Sequence, residues 1–208
     1  MKLIDLSLTV NNKMPGVDIQ SAKKLGVEGW NASTLQLYSH SGTHVDAPVH
    51  FGVSDIGLDQ MTLDQFSAEA WLVDCTDIAG AELITIDHLG SIANKVQPGD
   101  GLVFKTNWSD KFGTPDYREK LPRISEELAR WIVAKKVKLI GVEPQSVADV
   151  NNLPEVTKIH EILLGGGVTI VEGLTNLNEI TQDKFQILAL PLKIEGGDGC
   201  PVRAVAIV

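Results

Sequence analysis

The chain has 208 residues, 43% of them hydrophobic, enough for one domain with a substantial core, and a single unit over residues 1–208 is expected. Its formal net charge of −9 argues against nucleic acid as a partner, because a phosphate-binding surface is normally basic. No stretch reaches the roughly 18 apolar residues of a membrane span, and Asp5 interrupts the apolar start MKLIDLSLTVNN before a signal-peptide core can form, so a cytoplasmic protein without membrane contact is expected.

Strands and helices alternate along the chain. KLIDLSLTV sets Ile4, Leu6 and Leu8 against Leu3, Asp5 and Ser7, a strand period that Pro15 and Gly16 break. STLQLYSH alternates Leu35 and Leu37 against Thr34, Gln36 and Tyr38, a second strand running into Ser39 and His40. AWLVDCT reads as a short buried strand. TIDHLGSIANKV reads as a helix capped by Thr85 or Asp87 and stopped by the turn from Pro98 to Gly101. GLVFKTNW is a strand. In ISEELARWIVAKK, Ser125 is a good N-cap, Glu126 and Glu127 suit the first turn, and Lys135 and Lys136 suit the last. VKLIGVE is a buried strand, PEVTKIHEILL a helix stopped by Gly165–Gly167, and VTIVEGL the next strand. FQILALPLKI and PVRAVAIV close the chain as two strands, with the GGDG run of Gly196–Gly199 read as a hairpin connection. The order predicts an α/β fold: a single mixed-sheet domain with strand–helix–strand units in the second half and antiparallel pairing at both ends. The two cysteines, Cys75 and Cys200, lack C-x-x-C spacing and are expected to be reduced thiols.

Chemistry concentrates in SHSGTHVDAPVHF, Ser39 to Phe51, which holds His40, His44 and His50, three of the chain's five histidines, around Asp46. These four positions share one parity, so on extended backbone their side chains point the same way. Gly42 and Pro48 exclude a continuous helix and suggest a strand end that turns twice. Neutral imidazoles and a carboxylate are good ligands for zinc, manganese or iron, and an incomplete protein ligand set leaves positions for water and substrate. A hydrogen-bonded histidine corner is the alternative, but burying three imidazoles and an aspartate together without a metal or partners is costly.

The run His40 to His50, H-x-G-T-H-x-D-x-P-x-H, resembles the signature of the metal-dependent cyclase/hydrolase family, which includes bacterial kynurenine formamidases and is related to isatin hydrolases. The resemblance extends to His160 in KIHEILLGGG, to Glu172 in VTIVEGL and to the closing segment ALPLKIEGGDGCPVRAVAI. It implies a swivelling β/β/α domain and one or two divalent ions, zinc in formamidases and manganese in isatin hydrolases. It also implies that His40, His44 and Asp46 bind one ion, that Asp46 and Glu172 bridge to a second completed by His160, and that His50 stays off the metal as general acid/base. The implied reaction is attack of metal-activated hydroxide on a small amide, an N-formyl or cyclic one, in a homo-oligomer, dimer or tetramer. Lactone or cyclic-imide hydrolysis, cyclisation, and metal binding without catalysis remain the alternatives.

The residues by themselves are compatible with these roles. His160 lies slightly off the apolar stripe of Val156, Ile159 and Leu163, and Glu172 ends a buried strand, where a carboxylate needs a partner. His88 is expected to be structural, and Glu143 and Gln145 to belong to a solvated strand-end loop, with a site-lining role the alternative. Bacterial kynurenine formamidases carry an aromatic residue shortly after an N-terminal Pro-Gly, whereas MPGVDIQS offers Val17, Asp18 and Ile19. A ring for the substrate would then come from Trp30, Phe51 or Trp108.

Overall fold

The computed structural model describes residues 1–208. The N-terminal alternation forms strand β1 (Leu3–Asp5) and then only a single antiparallel bridge between Ser7 and Leu174. The hairpin strands β2 (Val17–Lys23) and β3 (Ala32–Leu37) flank the short helix α1 (Leu25–Glu28) and pair only with each other. Leu35 in β3 is 58% exposed, so the expected strand is present but its apolar side does not enter the core. There follow β4 (His44–Asp46), β5 (Ser67–Asp74), β6 (Leu83–Ile84), β7 (Gly101–Lys105), α2 (Pro115–Glu119), β8 (Arg123–Ile124) and α3 (Glu126–Ala134). The chain ends with β9 (Leu139–Val142), α4 (Leu153–Gly165), β10 (Thr169–Glu172), β11 (Lys184–Leu188), β12 (Gly199–Pro201) and β13 (Val205–Ile207). No helix is long and apolar enough to cross a membrane.

Nine strands form one mixed sheet in the order β1-β13-β11-β5-β7-β9-β10-β4-β12. The central pairs β5–β7, β7–β9 and β9–β10 are parallel, and every other pair of this sheet is antiparallel. Alternation along each strand divides the core between the two faces. Leu102, Phe104, Ile140, Val142 and Ile170 pack with Leu128, Ile132, Ile159 and Leu163 of α3 and α4. Their neighbours Val103, Leu139 and Val171 face the other way, toward Ile4, Leu6, Phe66, Leu174 and Phe185. Because the central strands are covered on both faces, they read as continuous apolar runs.

Several local expectations hold in detail. The Ser125 hydroxyl caps α3 by accepting the Leu128 N–H at 3.1 Å, and Glu126 pairs with Arg130 one turn on. Thr85 caps its segment, with His88 Nδ1 accepting the Thr85 N–H at 3.1 Å, so His88 is structural. That segment is a 3₁₀ run over Ile86–Asn94 and not an α-helix, because Gly90 (φ 49°, ψ −128°) breaks it. The GGDG connection needs the larger correction. β11 does pair with β13, but between them the chain crosses to the far edge of the sheet, where β12 pairs with β4. The run therefore does not join a hairpin; it carries Asp198 to the histidines.

Candidate active site

Strand pairing assembles the site. In the antiparallel β10–β4 ladder Glu172 lies opposite His44, and Ile170 lies opposite Asp46. His44, Asp46 and Glu172 thus share the sheet face covered by α4, while Val45 and Val171 enter the opposite core. Helix α4 turns His160 down onto this face, beside Ile159 and Leu163. His40 precedes β4 in a turn through Gly42 (φ 64°), and Pro48 opens the 3₁₀ turn Pro48–Phe51 that carries His50. The expected shared parity therefore operates in β4 alone, and His40 and His50 reach the cluster through the turns on either side.

Two imidazoles are fixed by main-chain carbonyls. His44 Nδ1–H donates to the Gly42 carbonyl at 2.9 Å, and His160 Nδ1–H donates to the Val156 carbonyl at 2.7 Å. Both rings therefore present Nε2 to the two carboxylates. His44 Nε2 lies 3.2 Å from Glu172 Oε2 and 3.7 Å from Asp46 Oδ1. His160 Nε2 lies 3.5 Å from Asp46 Oδ2 and 3.5 Å from Glu172 Oε1. His40 Nδ1 is 2.9 Å from Asp46 Oδ1. His44, Asp46, His160 and Glu172 are each no more than 3% exposed, yet His44 Nε2 and Asp46 Oδ2 have no hydrogen-bond partner.

Orphaned buried polar atoms of this kind are costly unless something else satisfies them. Donors sharing one ion at bond lengths of about 2.0–2.2 Å lie roughly 3–3.5 Å apart, close to the separations around Asp46. Two groups of potential ligands have their donor atoms within 4.8 Å of one another: the buried His44, Asp46 and Glu172, and the more accessible His40, Asp46 and His50. The residues present fit a divalent ion, and the two oxygens of Asp46 face different histidines.

The two carboxylates favour positive charge on the imidazoles around them. Burial opposes charge on His40, but its bond with Asp46 prevails and lifts it to about 9. Burial likewise opposes charge on His160, which Asp46 and Glu172 raise to about 10, and on His44, which Glu172 raises. Against their own burial, Asp46 is held well below the usual carboxylate range by His160 and His40, and Glu172 is lowered by His160 and His44. His50 differs: burial lowers it, and the attraction of Asp46 does not reverse this.

The cluster floors a cavity of about 320 Å³, whose walls include Tyr38, Phe51, Phe112 and Tyr117, and whose lining includes His50 and Arg118. Phe51 stacks on His160 at 4.3 Å between ring centroids. Of the three rings expected to face a substrate, Phe51 alone does so. Trp30 is 56% exposed, and Trp108 is buried with its indole N–H on the Tyr117 carbonyl. Gln145 lines the cavity, but Glu143 is buried and not the solvated loop residue expected. It accepts from the Thr106 N–H and hydroxyl, the Trp108 N–H and the Ser109 hydroxyl, fixing the turn after β7. Asp198 was not anticipated: its Oδ2 lies 3.0 Å from His40 Nε2 and 3.7 Å from His50 Nδ1. Its placement between glycines was the available signal, but only the β12–β4 pairing reveals its position.

The chain is similar to several known proteins. Residues 4–149 match the family model described as "Putative cyclase". A kynurenine formamidase from Salinibacter ruber is 33% identical over 177 residues, covering 84% of this chain and 79% of that protein. One from Erythrobacter litoralis is 30% identical, covering 84% and 76%. Among solved structures, isatin hydrolase A from Ralstonia solanacearum superposes with a TM-score of 0.88 at 23% identity, covering 99% of this chain and 91% of that one. The match at that identity is one of fold.

Proposed function

The chain belongs to the cyclase family whose model it matches, and on that premise we propose that it is a metal-dependent hydrolase of carbon–nitrogen bonds other than peptide bonds. Its substrate is a small N-formyl or cyclic amide, in the manner of an arylformamidase. The observation that carries this reading is the pair of orphaned buried atoms, His44 Nε2 and Asp46 Oδ2, facing Glu172 and His160 beneath a ring-lined cavity. His40, His44 and Asp46 would hold one divalent ion, and Asp46, Glu172 and His160 a second. An all-nitrogen-and-oxygen donor set suits zinc, with manganese the alternative. Such ions supply Lewis-acid polarisation of a carbonyl and acidified water at neutral pH.

The remaining roles fall to the chain itself. Asp46 and Glu172 keep both carboxylates ionised and fixed, so the charge of the site is set before substrate arrives. His50, half-buried at the cavity wall and neutral near pH 7, accepts a proton as carbonyl attack begins and delivers one to the departing nitrogen. Phe51 and Tyr38 offer ring faces to an aryl substrate and limit water around the reacting carbonyl. A homo-oligomer is part of the same proposal: Leu25, Val27, Trp30, Leu35 and Tyr38 stand exposed on or beside the β2–β3 hairpin. A cytoplasmic setting suits the two unpaired, buried cysteines.

Metal analysis of the purified chain, followed by kcat/KM on N-formylkynurenine, formanilide and isatin with metal-loaded protein, tests the proposal. Stoichiometric zinc or manganese with turnover of at least one of these amides is expected. Metal bound with no turnover of any of them would favour lactone hydrolysis or a non-catalytic role.

A further inference from the structure

Each of the three imidazoles nearest Asp46 uses one ring nitrogen to grip an oxygen outside the centre. For His44 and His160 that oxygen belongs to the main chain. For His40 it belongs to the side chain of Asp198, whose Oδ2 lies 3.0 Å from Nε2, while Nδ1 of the same ring faces Asp46 Oδ1 at 2.9 Å. We propose that Asp198 is a positioning residue of the metal centre, accepting the Nε2–H of His40 so that Nδ1 is the nitrogen turned to the ion beside Asp46. This rests on the metal reading given above and extends it to a residue outside the ligand set.

The local structure holds Asp198 for this purpose. The β4–β12 ladder aligns Gly199 with Asp46, and the Ala47 N–H donates to the Asp198 carbonyl at 2.9 Å, which anchors its main chain. The Ser39 hydroxyl donates to the same Oδ2 at 3.2 Å. Gly199 lets the strand pass close beneath the imidazole, since a Cβ there would come 2.5 Å from His40 Cε1 and 2.9 Å from the Val45 carbonyl oxygen. His50 Nδ1, at 3.7 Å, is beyond hydrogen-bond distance of Asp198, so the carboxylate acts first on His40. A carboxylate on the outer nitrogen of a ligating histidine fixes its tautomer and orientation and raises its basicity, and loss of such a partner typically weakens metal binding by about 10–100-fold.

The test is zinc affinity of the full chain, measured by competition with a chelating indicator, for the unmodified protein, Asp198→Ala and Asp198→Asn. Asp198→Ala is expected to bind about 10–100-fold more weakly. Asp198→Asn should recover part of the loss, because its amide oxygen still accepts the Nε2–H. Ring-nitrogen NMR shifts of zinc-loaded protein should give His40 a protonated Nε2 in the unmodified chain and a mixture of tautomers in Asp198→Ala. Affinity in Asp198→Ala within about twofold of the unmodified chain, with His40 in the same tautomer, would overturn the inference and leave the metal reading standing. Absence of zinc binding by the unmodified chain would overturn the metal reading, and this inference with it.

Discussion

Asp46 is the hub of the proposed site, because its two oxygens face different histidines: Oδ1 meets His40, and Oδ2 meets His160. Asp46→Ala should therefore lose more bound metal than His40→Ala, which elemental analysis of the two purified variants would reveal. Equal losses would count against a carboxylate shared between ions. His50 gives the contrasting case. It stacks on His40 at 3.9 Å between ring centroids but is partly exposed to the cavity. His50→Ala should keep its metal while turnover falls by about 10²–10⁴-fold; metal lost along with activity would make His50 a ligand. The first histidine cluster was legible in the sequence because its spacing is so short. Asp198 was not, since it lies 158 residues from His40 and sequence separation carries no information about a ladder partner.

At the scale of elements, the β10 end and the turn before β4 lock against each other. Gly173 has φ 67°, and a Cβ there would run into the Gly42 carbonyl. The Gly173 carbonyl in turn accepts the Thr43 hydroxyl at 2.5 Å. Gly173→Ala should cost at least about 1–2 kcal/mol from the left-handed conformation alone, and should displace Glu172 and His44 together. A lowered Tm accompanied by reduced metal content is the expected pair of results; normal metal content in a folded variant would mean that the turn yields without moving the ligands. By contrast, Ser125 does not line the cavity, and Ser125→Ala, which removes the α3 cap, should cost about 1 kcal/mol with metal binding unchanged. Helix α3 and the central strands were readable from periodicity and capping. The 3₁₀ character of 86–94 and the exposed β2–β3 hairpin were not, because both depend on what the rest of the chain packs against them.

For the whole molecule, pH should act through the metal-free centre. His40 and His160 are raised above the ordinary histidine range, to about 9 and about 10, so their protonated forms stabilise the metal-free fold. That stabilisation is fully present below about pH 6.5 and is lost as pH rises through 9–10. In the proposed centre protons and metal would compete for the same nitrogens, so apparent affinity should rise from pH 6 toward pH 9, and loading at pH 7 should release protons. Titrating metal calorimetrically in two buffers of different ionisation enthalpy measures this release; none at pH 7 would show that the histidines enter binding already neutral. The exposed apolar side chains of the hairpin lead to a separate expectation, an oligomer in solution that Trp30→Ser with Leu35→Ser weakens. Light scattering during size exclusion would decide it, and a monomeric unmodified chain would rule it out.

The sequence alone indicated the mixed α/β character, the strand–helix–strand units of the second half, the N-cap of α3, and the cluster of His40, His44, Asp46 and His50 as a candidate metal site, because these follow from local periodicity, capping chemistry and short spacing. It also indicated His160 and Glu172, but only through likeness to a family; neither residue's own neighbourhood announced a site. The tertiary structure alone decided that β4 lies between β10 and β12, and with it the meeting of His44 with Glu172 and of His40 with Asp198. It likewise decided that Phe51 lines the cavity while Trp30 and Trp108 do not. The physical reason is common to all of these: strand order and cavity walls are set by which distant surfaces bury against one another, a choice made by the whole chain's packing and not encoded in any local run of residues.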